Sequence, residues 1–260
     1  MSALRVTAHA ALVGFEDTRA QYTWMSWLFG WMIRATAQVL FFAAMGVLLD
    51  SDALILFAFI GNVAAMPALH GMAVGPDTAW ERGLGTLPLL VAAPGSMLPV
   101  FAGRSSFYIA QGVGEGFLIF ALLAPFLGFS GLWWWLPPAL LVVSLGSYGI
   151  GLFLAAVAIR RPRIGNIIFN LTFWGIVAIA GVNVPTEVFP GWVQTLADIL
   201  PLHHGLLGVR EVLATGPSWE AARQFGLELS IGLGWFLVAL IAFRTFAESG
   251  RKDGTIDLVE

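Results

Sequence analysis

Six long runs of apolar residues divide the chain, and shorter polar segments separate them. A helix needs roughly 20 predominantly apolar residues to cross the hydrocarbon core of a bilayer. The pattern therefore predicts six transmembrane helices, over residues 24–49, 53–75, 107–127, 136–159, 165–183 and 226–246. It leaves open an earlier start for the third span, inside the polar segment that precedes it.

The amino-acid composition excludes an ordinary soluble protein. Of the 260 residues, 58% are hydrophobic and 11% are charged, whereas soluble domains carry about 25% charged residues. No hydrophilic stretch is long enough for a second domain, so we expect one all-α polytopic membrane domain over residues 1–260. The net charge of −3 gives no electrostatic basis for binding nucleic acid, and no such partner is expected.

The basic residues predict the orientation, because Lys and Arg accumulate in the cytoplasmic loops of membrane proteins. Ten of them fall on one side of the predicted spans: Arg5, Arg19, Arg82, Arg104, Arg160, Arg161, Arg163, Arg244, Arg251 and Lys252. Only Arg210 and Arg223 fall on the other side. The side with ten basic residues is therefore predicted to be cytoplasmic, with both chain termini inside the cell.

The residues before the first span predict an amphipathic helix. Leu4, Ala8, Leu12 and Phe15 recur at helical spacing, and charged residues lie off that stripe. We expect a helix within residues 1–23 that lies in the cytoplasmic membrane interface. A loosely ordered tail is the alternative.

Residues 184–216, between the fifth and sixth spans, are too apolar for a free loop. Pro185, Pro190 and Pro201 divide this region into pieces too short to cross a bilayer. Irregular backbone persists at membrane depth only where protein or a water-filled cavity surrounds it. We therefore predict an outer re-entrant hairpin of two short helices, and a loop on the external surface is the alternative.

A further short helix is predicted over residues 77–91, between spans two and three. Thr78 and Glu81 have the spacing of a capping box, which marks a helix start. The apolar residues of this segment share one face: Trp80, Leu84, Leu87 and Val91. Pro88 ends or kinks the helix. A short amphipathic helix on the cytoplasmic side is a shape that a cytoplasmic partner can bind.

Two ionisable residues interrupt the apolar spans. Arg34 lies in the first span and Glu115 in the third, and at ~1.5 Å per residue both are about 12–15 Å from the cytoplasmic edge. An unpaired charge at such depth costs at least ~2.5 kcal/mol. We predict that the two residues pair, within one chain or across a dimer. The alternatives are that they line a substrate path, or that Arg34 extends to the lipid headgroups.

Amide side chains extend these polar positions. Gln38 lies one turn beyond Arg34, Gln111 lies one turn before Glu115, and Asn166 and Asn170 form a one-turn pair in the fifth span. The predicted intramembrane polar site contains five residues: Arg34, Gln38, Gln111, Glu115 and Asn170. Hydrogen bonding between helices is the simpler explanation for the amides.

Enzymatic chemistry has little support in the sequence. There is no Cys, and the only Lys, Lys252, does not lie in the Gly-Lys-Ser/Thr motif of a P-loop. The adjacent pair His203-His204 lacks the spacing of a metal site. An intramembrane serine protease could use Ser147, but the last span contains no His base. We expect no catalytic residue, no metal ligand and no cofactor in this chain.

Two stretches resemble a known family. Glu81-Arg82-Gly83-x-Gly85-Thr86-Leu87, followed by Pro94 and Gly103-Arg104, resembles the segment after the second span in permeases of the ABC type-2 exporter family, drug and antibiotic exporters in particular. The stretch from Leu200 to Glu211 is similar to the outer re-entrant region of that family. In the family, the cytoplasmic segment is a coupling helix that docks on a separate ATPase. The resemblance therefore implies these docking residues: Trp80, Glu81, Arg82, Leu84, Thr86 and Leu87.

The resemblance also implies partners and a location. Two cytoplasmic ATPase subunits would bind ATP and Mg²⁺, and a second permease chain would complete a homo- or heterodimer in the plasma membrane of a prokaryote, in contact with lipid. Many relatives carry an acidic residue after the Gly-Thr-Leu sequence, where this chain has Pro88. The implied function is export of an amphipathic or hydrophobic substrate, such as a drug, an antibiotic or a lipid-like molecule. The alternatives are a glycan or lipid-linked polymer exporter, an assembly or immunity subunit, and an intramembrane enzyme.

Overall fold

The computed structural model describes residues 3–21, 23–74, 98–160 and 162–253. Within these ranges the chain forms helices and connecting turns, with no β-strand. The predicted coupling helix, residues 77–91, and its docking residues lie outside the described residues. The α-helices of the described part are α1 (Ala3–Gln21), α2 (Ile33–Leu48), α3 (Asp52–Met72), α4 (Leu98–Leu123), α5 (Leu136–Arg160), α6 (Pro162–Ile179), α7 (Gly191–Ile199), α8 (His203–Thr215) and α9 (Trp219–Asp253).

Among the described residues, five helical segments are long and apolar enough to cross a membrane: Ser26–Leu48, Asp52–Met72, Leu98–Leu123, Trp133–Ala158 and Trp219–Thr245. They correspond to five of the six predicted spans. The remaining prediction, residues 165–183, falls on α6, whose apolar part is shorter. The 18 residues of α6 extend about 27 Å at ~1.5 Å per residue, slightly less than a hydrocarbon core of about 30 Å. The sixth span therefore stays a prediction.

The first span does not begin as an ordinary α-helix. Ser26–Met32 forms a seven-residue π-helix, which continues directly into α2. A π-helix closes its hydrogen bonds between residues five apart, is rare, and occurs often at functional sites. This segment carries Trp27 and Trp31, whose indole nitrogens both reach across to α4.

The core of the bundle is built around α3. This helix packs against α2, α4 and α5. Most of its residues from Ala58 to Met72 are buried. Phe59 of α3 and Phe120 of α4 are almost fully buried, and their rings stack with centroids 5.3 Å apart. Gly112 lets these helices approach closely, because a Cβ at this position would lie 2.8 Å from both Pro67 Cα and His70 Cβ. The close approach brings His70 to the polar groups of α4.

Glycines also bring α5 and α9 together. A Cβ on Gly232 of α9 would lie 2.7 Å from the Cα of Gly146 on α5. Small residues at helix crossings are typical of membrane proteins, since association there depends on close packing. The α5–α9 pair is therefore held by backbone-to-backbone contact.

Alanine in place of Gly149 should destabilise the protein by about 1–3 kcal/mol, the usual cost of overpacking. Its methyl group would overlap the carbonyl oxygen of Gly232 and lie 2.8 Å from the nitrogen of Phe236. The midpoint of thermal unfolding in detergent measures the effect. Gly234→Ala is the matched control, because a Cβ there meets no atom within 4 Å. Equal midpoints for the two variants would contradict this packing.

Helix α1 occupies most of the segment predicted to lie in the membrane interface. It packs on α4 through small residues, since a Cβ on Gly103 would lie 2.7 Å from the Cβ of Ala10. Only one end of the predicted apolar stripe takes part in this contact: Phe15 packs edge-on against Phe107 of α4 with ring centroids 5.3 Å apart, whereas Leu4 is 83% exposed and Leu12 is 66% exposed. An exposed apolar stripe agrees with contact to lipid. The interfacial position stays a prediction.

Helices α7 and α8 fall within the region predicted to form the outer hairpin. Arg210 of α8 holds this region to the bundle: its Nη2 donates to the carbonyl oxygens of Gly181 (2.9 Å) and Phe57 (3.1 Å). Burial lowers the pKa of Arg210 to about 9, which still leaves the guanidinium charged near neutral pH. Burial also lowers the pKa of His203, whose Nδ1 lies 3.0 Å from the oxygen of Ala180. Whether the hairpin re-enters the membrane stays a prediction.

Candidate functional site

The carboxylate of Glu115 is the centre of a buried hydrogen-bond cluster. Its Oε1 accepts from Trp27 Nε1 (2.9 Å) and Gln111 Nε2 (2.8 Å). Its Oε2 accepts from Trp31 Nε1 (2.7 Å) and lies 2.6 Å from His70 Nε2. Glu115 is only 1% exposed. Two partners on each oxygen fill the roughly four acceptor positions of a carboxylate. We call these five residues the Glu115 cluster.

Local structure explains why the cluster forms. Gln111 and Glu115 are one turn apart on α4, so their side chains share a face. Trp27 and Trp31 come from the π-helical segment, and His70 comes from α3 where that helix approaches α4 most closely. Three segments of the chain therefore converge on one carboxylate.

Arg34 does not contact Glu115 within this chain. Its guanidinium carbon lies 4.3 Å from the centre of the Trp31 ring, a cation–π geometry. The physical reason is that four other groups already occupy the carboxylate. The within-chain pair is thus replaced by an indirect link through Trp31, and a pair across a dimer stays a prediction.

A cavity of about 370 Å³ adjoins the cluster. We call it the polar cavity. Its lining comes from the π-helical segment, α2, α3, α4 and α6: Trp27, Trp31, Arg34, Gln38, Leu69, His70, Ala73, Tyr108, Gln111, Asn166, Phe169, Asn170 and Trp174. Four of the five predicted site residues line it, all except Glu115, which lies behind Gln111. The structure thus places these four residues around one cavity, and their role in a polar pair or a substrate path stays a prediction.

A second space lies on the other flank of the cluster, between α1, the start of the first span and α4. It has a volume of about 670 Å³, and we call it the N-terminal groove. Its lining is mostly aromatic and aliphatic: Phe15, Arg19, Thr23, Trp24, Trp27, Phe107, Ala110, Gln111, Gly114, Glu115 and Leu118. Trp27 and Gln111 line both the groove and the polar cavity.

Glu228 of α9 is a second buried acid that the sequence analysis missed. It is fully buried, and its carboxylate accepts from the backbone nitrogens of Leu202 (2.8 Å) and Gly205 (2.9 Å). These groups belong to the N-terminal end of α8, where helix N–H groups have no partner within the helix. A Cβ on Gly146 would lie 2.6 Å from Glu228 Cγ, so glycine makes room for the acid. An acidic residue within a predicted span, residues 226–246, was the feature of the sequence that indicated Glu228 as a candidate.

The imidazoles that raised the question of a metal site have other contacts. His204 Nδ1 lies 2.7 Å from Gln224 Oε1. His203 Nδ1 lies 3.0 Å from the carbonyl oxygen of Ala180. No group of three or more His, Cys, Asp or Glu side chains in the described part of the chain could hold a metal ion. These two histidines connect α8 to its neighbours.

The chain matches one known protein family over most of its length. The model of the family described as ABC-2 type transporter matches residues 18–214. The matched region contains the Glu115 cluster, the polar cavity and every residue that lines the N-terminal groove except Phe15. Comparison with curated proteins gives no match. Because the family match covers most of the chain and the helices are those of a multi-pass membrane protein, this protein belongs to the ABC-2 type transporter family, as a permease component of an ABC transporter.

Proposed function

We propose that the chain is an exporter permease that moves an amphipathic or hydrophobic substrate out of a prokaryotic cell. Two such chains, identical or different, would enclose the path, and two cytoplasmic ATPase subunits that bind ATP and Mg²⁺ would drive it. The chain would cross the membrane six times, with both termini in the cytoplasm.

The polar cavity carries the proposal. Arg34 of α2 and Asn166 and Asn170 of α6 are all exposed on the surface of the single chain, although they lie in or beside apolar helices. Ionisable side chains within membrane segments almost always face the interior of a bundle or a water-filled cavity. This surface is therefore better suited to a path or to a second permease chain than to lipid.

Coupling to ATP needs a stiff connection between the ATPase and the spans. The capping-box pattern and the family resemblance favour residues 77–91 for this role. A helix joined to the second and third spans would transmit closure of the paired ATPases as a tilt of α3 and α4. These two helices supply His70, Gln111 and Glu115, so the tilt would act directly on the Glu115 cluster.

Substitution of Glu81 by alanine should lower ATP hydrolysis by the assembled complex about fivefold, which corresponds to about 1 kcal/mol of lost docking energy. The measurement is co-purification of the permease with its ATPase, followed by hydrolysis in lipid vesicles. Glu16→Ala is the control, because Glu16 is an exposed acid of α1 outside the predicted docking helix. Failure to bind any ATPase would overturn the proposal and favour a membrane enzyme. Binding without substrate-stimulated hydrolysis would favour an assembly or immunity subunit.

Export of a glycan or lipid-linked polymer is the second candidate. Five aromatic side chains are among the described residues that line the polar cavity, namely Trp27, Trp31, Tyr108, Phe169 and Trp174, and such surfaces suit stacking against sugar rings. Vesicles containing the complete complex distinguish the two candidates. ATP-driven accumulation of small amphipathic dyes would support the drug-like substrate, and selective transport of a polymer would support the second candidate.

A further inference from the structure

A thin wall separates the N-terminal groove from the polar cavity. Trp27 and Gln111 line both spaces, and both donate to the same oxygen, Oε1 of Glu115. The groove opens on the outside of the bundle, since Trp24 is 66% exposed and Leu118 is 49% exposed. Two hydrogen bonds to one buried acid thus hold in place the two side chains that separate the N-terminal groove from the polar cavity.

We propose that the N-terminal groove binds an amphipathic organic cation with a protonated amine, which passes into the polar cavity by replacing Trp27 and Gln111 at Glu115. The inference rests on the proposed transport function and names its substrate class and entry site. The groove is large enough for such a ligand, since small-molecule sites usually measure about 300–1,000 Å³.

The chemistry at the deep end of the groove favours a cation. Glu115 offers only acceptor atoms when ionised. The side-chain oxygen of Gln111 is a buried acceptor without a hydrogen-bond partner among the described residues. Rings from Phe15, Trp24 and Phe107 form the walls, and aromatic faces attract cations. The one basic lining residue, Arg19, is exposed and long enough to extend its charge away from the groove.

The groove would select an amine over an alcohol or a carboxylate because an ammonium group can take the place of the neutral donors at Glu115. An ammonium group has three N–H donors, and its hydrogen bonds to a carboxylate are roughly twice as strong as those of neutral donors. It can therefore replace the neutral donors of Trp27 and Gln111 without leaving Glu115 unpaired. A neutral alcohol offers a single weaker donor, and a carboxylate ligand is repelled.

Cysteine labelling can test the proposal, because the chain contains no native Cys. Gly114 lines the groove, and a Cβ there meets no atom within 4 Å, so the Gly114→Cys variant leaves the packing intact. The full-length variant, in lipid nanodiscs, is alkylated with N-ethylmaleimide in the presence of dodecylamine, dodecanol or dodecanoate. The Leu233→Cys variant, at a 60% exposed position of α9, controls for general effects of the ligands on the bilayer.

Dodecylamine should slow alkylation of the Gly114→Cys variant at least tenfold, at concentrations that change the control less than twofold. Dodecanol and dodecanoate should give less than a twofold effect. Adding Glu115→Gln should reduce the protection by dodecylamine to below twofold. Equal protection by the alcohol, full protection in the Glu115→Gln background, or no protection at all would overturn the proposal. The comparison of three ligands needs only the Gly114→Cys variant, so it stands even if Glu115→Gln folds poorly.

The test separates this inference from the proposed function. Selective protection by the amine, without binding to an ATPase, would establish the site and remove only the transport function. Association with an ATPase, together with no protection, would retain the transporter and eliminate the cation site.

Discussion

Glutamine in place of Glu115 is expected to reduce ATP-driven transport at least tenfold and to lower the stability of the protein by about 1–3 kcal/mol. The side chain keeps its size and shape, so the effect isolates the hydrogen bonds and the charge. Glu115 is almost fully buried and has two partners on each oxygen. An amide presents an NH₂ group in place of one of these oxygens. Whichever way it turns, the indole N–H of Trp27 or that of Trp31 then faces another donor, whereas His70 can change tautomer and the amide of Gln111 can turn.

The size of the effect follows from the membrane environment. Side-chain hydrogen bonds between membrane helices contribute about 0.6 kcal/mol on average and up to about 1.7 kcal/mol, and a buried donor without an acceptor costs about 1–3 kcal/mol, so loss of one indole hydrogen bond accounts for the expected destabilisation. The transport rate should fall by more than the loss of folding stability alone would cause. The same bonds position Trp27 and Gln111 between the groove and the cavity, and the lost charge would no longer attract a cation.

Thermal unfolding in detergent and ATP-driven uptake into inverted vesicles measure the two effects. The same change at Glu16, an exposed acid of α1, should alter stability by less than about 0.5 kcal/mol, as for most surface substitutions. Trp31→Phe should give an intermediate loss because it removes one donor and keeps an aromatic ring. Unchanged transport and stability for Glu115→Gln would mean that the cluster has no role in either.

The position of the polar site was predictable because depth in a membrane can be counted along a helix. The sequence predicted that Arg34 and Glu115 lie at equal depth in spans entering from the same side, and the structure places both beside Trp31, which donates to Glu115 and lies against the guanidinium of Arg34. The identity of their partners was not predictable. Trp27 and Trp31 would count as ordinary apolar residues in a helical pattern, and their reach to the carboxylate depends on the π-helical segment, which no periodicity indicates.

The face through which α1 packs on α4 shows a second limit of prediction from the sequence. Leu4 and Leu12 mark the apolar stripe of α1 and stay exposed, whereas α4 is contacted by the small residue Ala10 and, from the stripe, by Phe15 alone. In water an apolar stripe indicates the buried face. In a membrane it can equally indicate the lipid face, and close packing uses small residues. The helix was therefore predictable, and the side on which it packs was not.

Glu228 escaped prediction for a different reason. Its partners are backbone N–H groups of Leu202 and Gly205, more than twenty residues earlier, and backbone donors have no signature in a sequence. Leu202 also adopts a positive φ of 85°, which non-glycine residues rarely do. An outlier of this kind costs about 1–3 kcal/mol and persists only where its surroundings hold it in place. The carboxylate of Glu228 supplies that support.

Glutamine in place of Glu228 should therefore loosen the outer hairpin. A buried backbone N–H left without its acceptor costs about 1–3 kcal/mol, and an amide can keep only one of the two acceptor contacts. Local opening of α8 should become at least tenfold more frequent, since about 1.4 kcal/mol corresponds to a factor of ten. The Val209→Cys variant reports this opening, because Val209 of α8 is fully buried and its alkylation requires the helix to move away.

The alkylation rate of the Val209→Cys variant should rise at least tenfold when Glu228→Gln is added. The control is Glu220→Gln, the same change at an exposed acid in the first turn of α9, which should leave the rate within twofold. Residues of the Glu115 cluster lie on other helices, so Gly114→Cys labelling should also stay within twofold. A rise at both Cys positions would indicate global unfolding, and no rise at Val209→Cys would show that Glu228 does not hold α8. A selective rise would identify Glu228 as the group that ties movement of α9 to α8.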